Sequence, residues 1–396
     1  MAEAPSRAAS FASRALDSAW RRGVLPRPVM DADAFEAAAL RGADPATLGP
    51  DTGWRTPFRL LAEALRDEAD LNPLGRALAH GQIVQLLRAR MRAVALWARH
   101  AEILETPIAP PIVILGPMRS GTTRLQRLLA CDRRFAHTRT FESLHPIPFR
   151  SRGPDRRALL TRIALAVVER LNPAVAAIHP TRPYDPEEEF GLLSTSFGPP
   201  QFEVQWRVPS FTRWWETSDK ECLYKEMRKL LQTISWHRGA SPDRPWILKV
   251  PQYMEDLPAL LAAFPGARLL CLDRDLAQVV ASSASLVWHQ MRIQSDNVDP
   301  AWIGEEWLRK TLRRNRIAAE TRAARPDVPQ LDLDYSAMDR DWRGEIRRVY
   351  DFLGLALTPE VERRMAAYLD RARAHRGHRY SLGQFGLTPE RLVRHA

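Results

Sequence analysis

Apolar residues recur at helical spacing in the first hundred residues, most clearly at positions 58–65 and 83–97. This pattern predicts an N-terminal helical region over residues 1–105. Three prolines then fall within residues 106–111, where they remove backbone donors and favour extended conformations in the residues before them. We therefore expect a boundary near residue 105, followed by a second domain over residues 106–396.

Beyond that boundary, short and continuously apolar runs are typical of parallel strands covered on both faces. They occupy residues 112–115, 246–248 and 269–272, with a weaker candidate at 330–334. Helical patterns alternate with these strands or follow them, at residues 122–129, 255–264, 276–288, 301–324, 343–353 and 359–373. The alternation predicts an α/β fold: a P-loop-like three-layer core with a central parallel sheet, plus the N-terminal helical region and helical insertions.

The loop after the first predicted strand reads Gly-Pro-Met-Arg-Ser-Gly-Thr-Thr, from Gly116 to Thr123. Its two glycines have P-loop spacing and a helix begins at Thr122, so backbone N–H groups can surround an anion. A nucleoside triphosphatase would place lysine where Thr122 stands, but here the cation is Arg119. The loop therefore favours one terminal phosphate group over a triphosphate. A turn that merely reverses the chain is the structural alternative.

Three predicted strands end with a cation, namely Arg119, Lys249 and Arg274. Because ligands of open parallel sheets bind at the carboxyl ends of the strands, these charges should meet in one crevice. Crowded cations require compensating anions, which predicts a ligand with several negative charges. The alternative is an ion pair between Lys249 or Arg274 and a carboxylate such as Asp273 or Asp275.

The charge balance agrees with an anionic partner, although it does not require one. The chain has 58 Lys and Arg residues against 47 Asp and Glu, a net charge of +11, and arginine suits bidentate contacts to phosphate or sulfate. A genome biased toward arginine codons would give the same excess. A hydrophobic content of 45% indicates a folded protein rather than a disordered one.

Cysteine spacing and apolar runs bear on location. Cys131, Cys222 and Cys271 are far apart and match no zinc or redox motif, so we expect a reducing, cytoplasmic compartment and no metal. No apolar run reaches the roughly 18 residues of a spanning helix, and the N-terminus lacks a secretory apolar region. Residues 6–22 are rich in Arg, Ala and Ser, and we expect them to pack on the protein rather than on an anionic membrane.

Several segments together carry a family resemblance over residues 108–387. The block at residues 111–129 resembles the donor-binding loop of sulfotransferases that use 3′-phosphoadenosine 5′-phosphosulfate, specifically the bacterial branch similar to tyrosylprotein sulfotransferases. Trp-Ile-Leu-Lys-Val-Pro at 246–251 is similar to that branch's lysine-containing strand end. Residues 264–267 lead into Arg274, with Ser282 eight residues later, as in the 3′-phosphate element, and residues 377–387 also resemble the family.

The resemblance implies a donor site. Residues that would hold the 5′-phosphosulfate are Arg119, Ser120, Gly121, Thr122 and Thr123. Arg274 and Ser282 would hold the 3′-phosphate, although Ser283 and Ser285 are close rivals. Leu276 stands where the family usually has proline, which should alter the start of the helix more than the phosphate contact.

Sulfuryl transfer needs a base for the acceptor proton and cations for the charge that develops on the donor. Lys249 and Arg119 suit the second role. For the base we predict Glu142, which lies 23 residues after Arg119 and matches the glutamate of the tyrosylprotein-like branch, with His145 as its rival. Either residue could instead be an ordinary surface group or a partner of Arg139.

Three further features have structural interpretations as well as functional ones. In the acidic run at 185–189, Asp185 as N-cap and Pro186 at the first position predict a helix start, with at most an indirect role near the acceptor. The aromatic residues Trp206, Phe211, Trp214 and Trp215 favour core packing over an acceptor pocket or membrane rim. Of the basic run at 371–379, Arg376 or Arg379 could add a donor contact.

The expected function is therefore transfer of a sulfuryl group from that donor to a hydroxyl of a small-molecule, lipid or glycan acceptor, with a slight preference for an apolar one. We expect no nucleic-acid partner; peripheral membrane contact and the oligomeric state stay open. One alternative is a P-loop kinase, because residues 269–273 resemble a strand ending in a magnesium-binding Asp. Another is a non-enzymatic protein that binds polyanions or membrane surfaces through its charge.

Overall fold

One parallel sheet organises the chain. The computed structural model describes residues 6–149, 155–174, 180–239, 241–372 and 381–393. Its strands are β1 (Ile112–Leu115), β2 (Ala136–His137), β3 (Trp246–Leu248), β4 (Arg268–Asp273) and β5 (Gln330–Asp334). They lie in the order β2-β3-β1-β4-β5, and every neighbouring pair is parallel. All predicted strands are present, including the weak one at 330–334, whereas β2 was missed because two residues carry no periodicity.

Alternation along β1 divides the apolar residues between two cores. Val113 and Leu115 pack with the N-terminal helices and the insertion that follows β2. Ile112 and Ile114 face the opposite side, among the helix that directly follows β1 and helices near the C-terminal end of the chain. Since successive strand residues point to opposite faces, one run of four apolar residues serves both layers. The three-layer α/β prediction is therefore confirmed.

Three of the four N-terminal helices, the second to the fourth, join the first of these cores. The bounds of the four helices are α1 (Arg7–Arg21), α2 (Ala32–Leu40), α3 (Arg55–Asp67) and α4 (Pro73–Arg99), with short 3₁₀ helices at Pro45–Leu48 and Ala101–Glu105. Phe58, Leu61 and Leu87 are buried in the cluster that contains Val113. Helix α1 packs on α4, with Ala9 buried and Ser6 capping its N-terminus. Residues on both sides of position 105 therefore share one core, and the domain boundary at residue 105 stays a prediction.

The remaining helices surround the sheet or form the insertion between β2 and β3. The first follows β1 directly and is α5 (Thr122–Leu129). The insertion contains α6 (Thr140–Leu144), α7 (Arg157–Leu171), α8 (Phe190–Ser194), α9 (Phe202–Gln205), α10 (Pro209–Thr217) and α11 (Glu221–Arg238). After β3 come a 3₁₀ helix at Pro251–Met254, α12 (Leu257–Ala263), α13 (Leu276–Gln294), α14 (Pro300–Ala324), α15 (Tyr335–Arg340), α16 (Trp342–Leu353), α17 (Pro359–Ala372), a 3₁₀ helix at Leu382–Phe385 and α18 (Pro389–Val393).

The acidic run at 185–189 corrects one prediction. No helix starts at Asp185; instead Pro186 forms an antiparallel bridge with Arg139, and α8 begins at Phe190. Backbone pairing explains the difference, because the Thr140 N–H donates to the Asp185 carbonyl at 3.0 Å and the Glu187 N–H to that of Thr138 at 2.9 Å. Tertiary pairing thus overrides a favourable local capping sequence.

Trp206, Phe211 and Trp215 are buried, which confirms core packing for these aromatic residues. Arg376 and Arg379 lie outside the described residues. Within the described ranges, no helix is both long and apolar enough to cross a membrane.

Candidate functional site

The loop from Gly116 to Thr123 joins the carboxyl end of β1 to α5 and leaves no room for larger residues at its glycines. Gly121 has a φ of +89°, a conformation that side chains disfavour. A Cβ atom there would lie 2.7 Å from Cδ2 of Tyr335, and one at Gly116 would lie 2.7 Å from Oγ of Ser120. Both glycines therefore permit a close approach of the loop to its neighbours.

Two features of this loop fit an anion. The Oγ atom of Ser120 is buried and has no hydrogen-bond partner within the described ranges. The first N–H groups of α5, which begins at Thr122, have no acceptor inside the helix and mark its positive end. A phosphate or sulfate group would accept hydrogen bonds from these donors. A turn that merely reverses the chain would leave them without an acceptor.

Arg119, Arg274 and Ser282 converge beside the loop. Arg119 has a φ of +69°, and its Nε atom donates to Oγ of Ser282 at 3.0 Å. Arg274 donates to the carbonyl of Arg119 and to the Gln278 side chain, the latter at 2.8 Å. Its guanidinium also lies 4.1 Å from the centroid of the Tyr335 ring. Amide, carbonyl and aromatic groups thus position Arg274 while leaving its charge available to a ligand.

Lys249 connects the end of β3 to the same loop. Its side chain is buried, and Nζ donates to Oγ1 of Thr123 at 3.0 Å. The same ammonium group forms an ion pair with Glu188. The ion-pair alternative therefore holds for Lys249, with Glu188 in place of the carboxylates that the sequence suggested. Glu188 also contributes to the lining of the cleft described below.

Glu188 and Glu189 have different surroundings although they are adjacent. Oε1 of Glu188 bonds Lys249, while Oε2 is buried without a hydrogen-bond partner in the part of the chain that is described. Glu189 accepts hydrogen bonds from the Lys249 N–H and the Tyr253 hydroxyl, each at 2.8 Å. Complete burial raises the pKa of Glu189 to about 8. Glu188 therefore keeps one carboxylate oxygen without a hydrogen bond among the described residues. Glu189 instead fixes the backbone of Lys249.

Sequence reasoning missed both glutamates because it assigned residues 185–189 to a helix start. A usable signal was present: Lys249 ends a buried strand, so its ammonium group needs a carboxylate partner, and the chain has three consecutive glutamates at 187–189. Which of these glutamates pairs with Lys249 is decided by the tertiary structure and cannot be read from the sequence.

Glu142 and His145 do not line the cleft. Glu142 is buried in an ion pair with Arg238, whose Nε lies 2.8 Å away, and accepts the Arg139 N–H at 2.9 Å. His145 contacts the ring of Phe149, and burial together with nearby arginines lowers its pKa to about 4. The alternative role of Glu142 as a partner of Arg139 is present, because its carboxylate accepts the Arg139 N–H in a helix-capping contact. Glu142 and His145 are both engaged in these contacts, and which residue acts as the base stays a prediction.

The cleft has a volume of about 1020 Å³ and two halves of contrasting chemistry. The loop half is polar and is lined by Arg119, Gly121, Thr122, Thr123, Arg274 and Tyr335. The helix half is lined by the apolar residues Leu165, Ala166, Val168, Phe190, Val204 and Leu286, and by the polar residues Arg162, Glu169, Gln201, Gln205 and Gln290. Glu188 lines the same cleft. The site can therefore hold a charged molecule beside an apolar one.

Comparisons with known proteins agree on one family. The family described as "Sulfotransferase family" matches residues 110–359. Over 277 residues the chain is 26% identical to omega-hydroxy-beta-dihydromenaquinone-9 sulfotransferase Stf3 of Mycobacterium bovis and of Mycobacterium tuberculosis. That alignment covers 64% of this chain and 65% of each relative, slightly less than two thirds of their length.

Solved structures give the same result over more of the chain. Sulfotransferase STF1 from Mycobacterium tuberculosis H37Rv is 26% identical with a TM-score of 0.81, covering 93% of this chain and 99% of that one. Sulfotransferase STF9 from Mycobacterium avium is 24% identical with a TM-score of 0.78, covering 93% and 95%, and shows the same fold. The sequence match over residues 110–359 and the shared fold establish that this chain belongs to the sulfotransferase family.

Proposed function

We propose that this chain transfers a sulfuryl group from 3′-phosphoadenosine 5′-phosphosulfate to a hydroxyl group of an apolar, lipid-like acceptor. The observation that carries the proposal is the arrangement of the loop half. A buried Ser120 hydroxyl that has no partner among the described residues, the start of α5 and the cations Arg119, Lys249 and Arg274 all meet at one end of the sheet. Such a set of donors fits a ligand with several negative charges.

The residues present fit this donor group by group. Arg119 to Thr123 would hold the 5′-phosphosulfate through the loop N–H groups, the hydroxyls and the arginine. Arg274 and Ser282, which meet through Arg119, would hold the 3′-phosphate. When bound, the donor supplies an activated sulfuryl group on a phosphate leaving group. The position after Gly121 holds Thr122 rather than lysine, which argues against a triphosphate.

We assign the base to Glu188 in place of Glu142. Glu188 lines the cleft, and its Oε2 atom has no other hydrogen bond among the described residues, so it can accept the proton of an acceptor hydroxyl. Lys249 lies between that carboxylate and Thr123, where its charge can stabilise negative charge that develops on the donor's oxygens. Arg119 would share this second task.

The acceptor is inferred from the helix half. Leu165, Ala166 and Val168 of α7 and Phe190 of α8 give this part of the cleft an apolar lining. Apolar walls favour an apolar molecule, and the polar side chains among them can orient its hydroxyl toward the reacting groups. The Stf3 relatives are named for a menaquinone-derived acceptor, which supports the same class for this chain.

Transfer of ³⁵S from labelled donor tests the proposal. Purified protein is incubated with the donor and with either a lipid extract or a water-soluble metabolite extract, and label is followed into organic-phase or aqueous products. We expect organic-phase product that requires the protein. Label only in aqueous products would exclude the lipid-like acceptor, and no labelled product from either extract would argue against the reaction.

A binding measurement separates the proposal from the kinase alternative. A ligand that binds only the folded state raises the melting temperature. We expect a rise with adenosine 3′,5′-bisphosphate, the desulfated donor, and little response to magnesium-ATP. A response to magnesium-ATP alone would favour the kinase.

A further inference from the structure

Helix α7 exposes an apolar stripe that the core does not explain. Leu159, Ile163 and Val167 follow one another at intervals of four residues, and Leu160 lies beside them, so their side chains share one face. Each of these four residues exposes between 43% and 55% of its surface. The opposite face packs on the protein through Ala158 and Thr161. Four large apolar side chains on one exposed helix face indicate an interaction surface.

Arginines flank the stripe at both ends, and Asp155, the carboxylate next to Arg156, is paired with Arg157. Arg156 precedes α7 and Arg170 lies in its last turn, and both are exposed. The N-terminal helix α1 packs against α7, where Oγ of Ser6 donates to the carbonyl of Leu171 at 2.8 Å. Arg7 and Arg14 of α1 are exposed as well. The acidic residue within α7, Glu169, instead lines the cleft.

The stripe is also continuous with the helix half of the cleft. Arg162, Leu165 and Ala166 of the same helix line the cleft, one turn or less from Ile163 and Val167. A molecule that leaves an apolar phase at the stripe can therefore reach the helix half along this one helix, past Ala166 and beside Arg162.

We propose that α7 docks on an anionic lipid bilayer, with the stripe buried in the interface and the flanking arginines on lipid phosphates. Apolar burial with electrostatic attraction is how interfacial helices bind such surfaces. A second copy of this chain is a poorer occupant. In a two-fold contact the stripe would face itself, so Arg156 and Arg170 would meet arginines of the same surface. Docking does not depend on the proposed function; delivery of an apolar acceptor from the bilayer to the cleft does.

Vesicle flotation tests the docking. Wild type should float with vesicles of phosphatidylcholine and phosphatidylglycerol, and bind much less to phosphatidylcholine alone. The triple variant Leu159→Gln, Ile163→Gln, Val167→Gln keeps helix propensity and should bind the mixed vesicles at least about tenfold more weakly. A matched control, Leu78→Gln with Leu104→Gln, alters exposed leucines on α4 and on the 3₁₀ helix at Ala101–Glu105 and should bind as wild type does.

A second set of substitutions tests the contribution of charge to the binding. Arg156→Gln with Arg170→Gln should weaken binding to the mixed vesicles by roughly tenfold or more and leave binding to phosphatidylcholine unchanged. Undiminished binding in the triple variant would overturn the proposal. So would a wild-type dimer in sedimentation that the triple variant converts to monomers with vesicle binding intact.

Failure here is distinguishable from failure of the proposed function. The triple variant should retain the rise in melting temperature with adenosine 3′,5′-bisphosphate, because the three residues do not line the cleft. If wild type floats with mixed vesicles but shows no such rise, the docking stands and the proposed function fails. If wild type shows the rise in melting temperature but the triple variant floats as well as wild type does, the proposed function stands and the docking fails.

Discussion

The two halves of the cleft are built on different principles. Residues of the loop half stand at or next to strand ends, and side-chain contacts hold them in place: Arg119 bonds Ser282, and Lys249 bonds Thr123. The helix half comes mostly from the insertion between β2 and β3, where α7 presents apolar side chains to the cleft and to solvent. The loop half thus has a fixed arrangement of charged groups. The helix half has a lining in which apolar side chains predominate.

This difference separates chemistry from acceptor choice. Charges at strand ends are positioned by the sheet itself, so changes there should affect catalysis and donor binding. Apolar contacts in the insertion are individually weak and numerous, so changes there should affect which acceptor is used.

Lys249→Met should lower kcat by on the order of 10³-fold, because it removes a buried charge from the reacting groups while keeping side-chain length. Steady-state ³⁵S transfer measures the loss. Lys310→Met is the matched control: Lys310 is another buried lysine paired with a glutamate, Glu203 at 2.7 Å, whereas Lys249 also donates to Thr123 of the loop. Both variants should lose stability, and only the first should lose activity per folded molecule. Equal activity losses in the two would refute this assignment.

Glu188→Gln should lower kcat by about 10²- to 10³-fold, because the amide cannot accept the proton of the acceptor. The bisphosphate should still raise its melting temperature. Glu142→Gln is the comparison variant; it weakens the ion pair with Arg238 and should cost stability while activity per folded molecule stays near wild type. If Glu142→Gln abolishes turnover and Glu188→Gln does not, the base is Glu142 after all.

Glu189→Gln tests the support beneath Lys249. Burial raises the pKa of Glu189 to about 8, so its stabilising contribution is complete below its unfolded pKa and is lost as pH rises through about 8. The glutamine does not titrate. Between about pH 5 and about pH 8, the free energy of unfolding of wild type should therefore fall by roughly 3 kcal/mol relative to the variant.

Chemical denaturation at the two pH values measures this difference. Burial also raises the pKa of Asp256, to about 7, but Asp256 titrates in both proteins and cancels from the comparison. Parallel pH profiles for the two proteins would show that Glu189 is ionised in the folded state.

Ser282→Ala should have the smallest effect, about fivefold weaker binding of adenosine 3′,5′-bisphosphate, because one hydrogen bond is lost while Arg119 and Arg274 remain. Calorimetric titration gives the affinity. Ser285→Ala, on the same helix, is the control and should bind as wild type does. A larger loss at Ser285 would move the 3′-phosphate contact to that position.

The same contrast explains what the sequence could predict. Strands β1, β3 and β4 and the loop at Gly116–Thr123 have strong local signals, namely apolar runs and two spaced glycines. The sheet then brings Arg119, Lys249 and Arg274 together without further information. Glu188 was missed because its backbone conformation depends on pairing between residues 138–140 and 185–187, which are far apart in the chain. Nor does helical periodicity indicate which apolar face of α7 stays uncovered.

A crystal structure with adenosine 3′,5′-bisphosphate tests the central claim most directly. We expect the 5′-phosphate within the loop at Gly116–Thr123, bonded by Ser120 and the start of α5, with the 3′-phosphate against Arg274 and Ser282. A bound nucleotide elsewhere, with the Ser120 hydroxyl still lacking a partner, would contradict it.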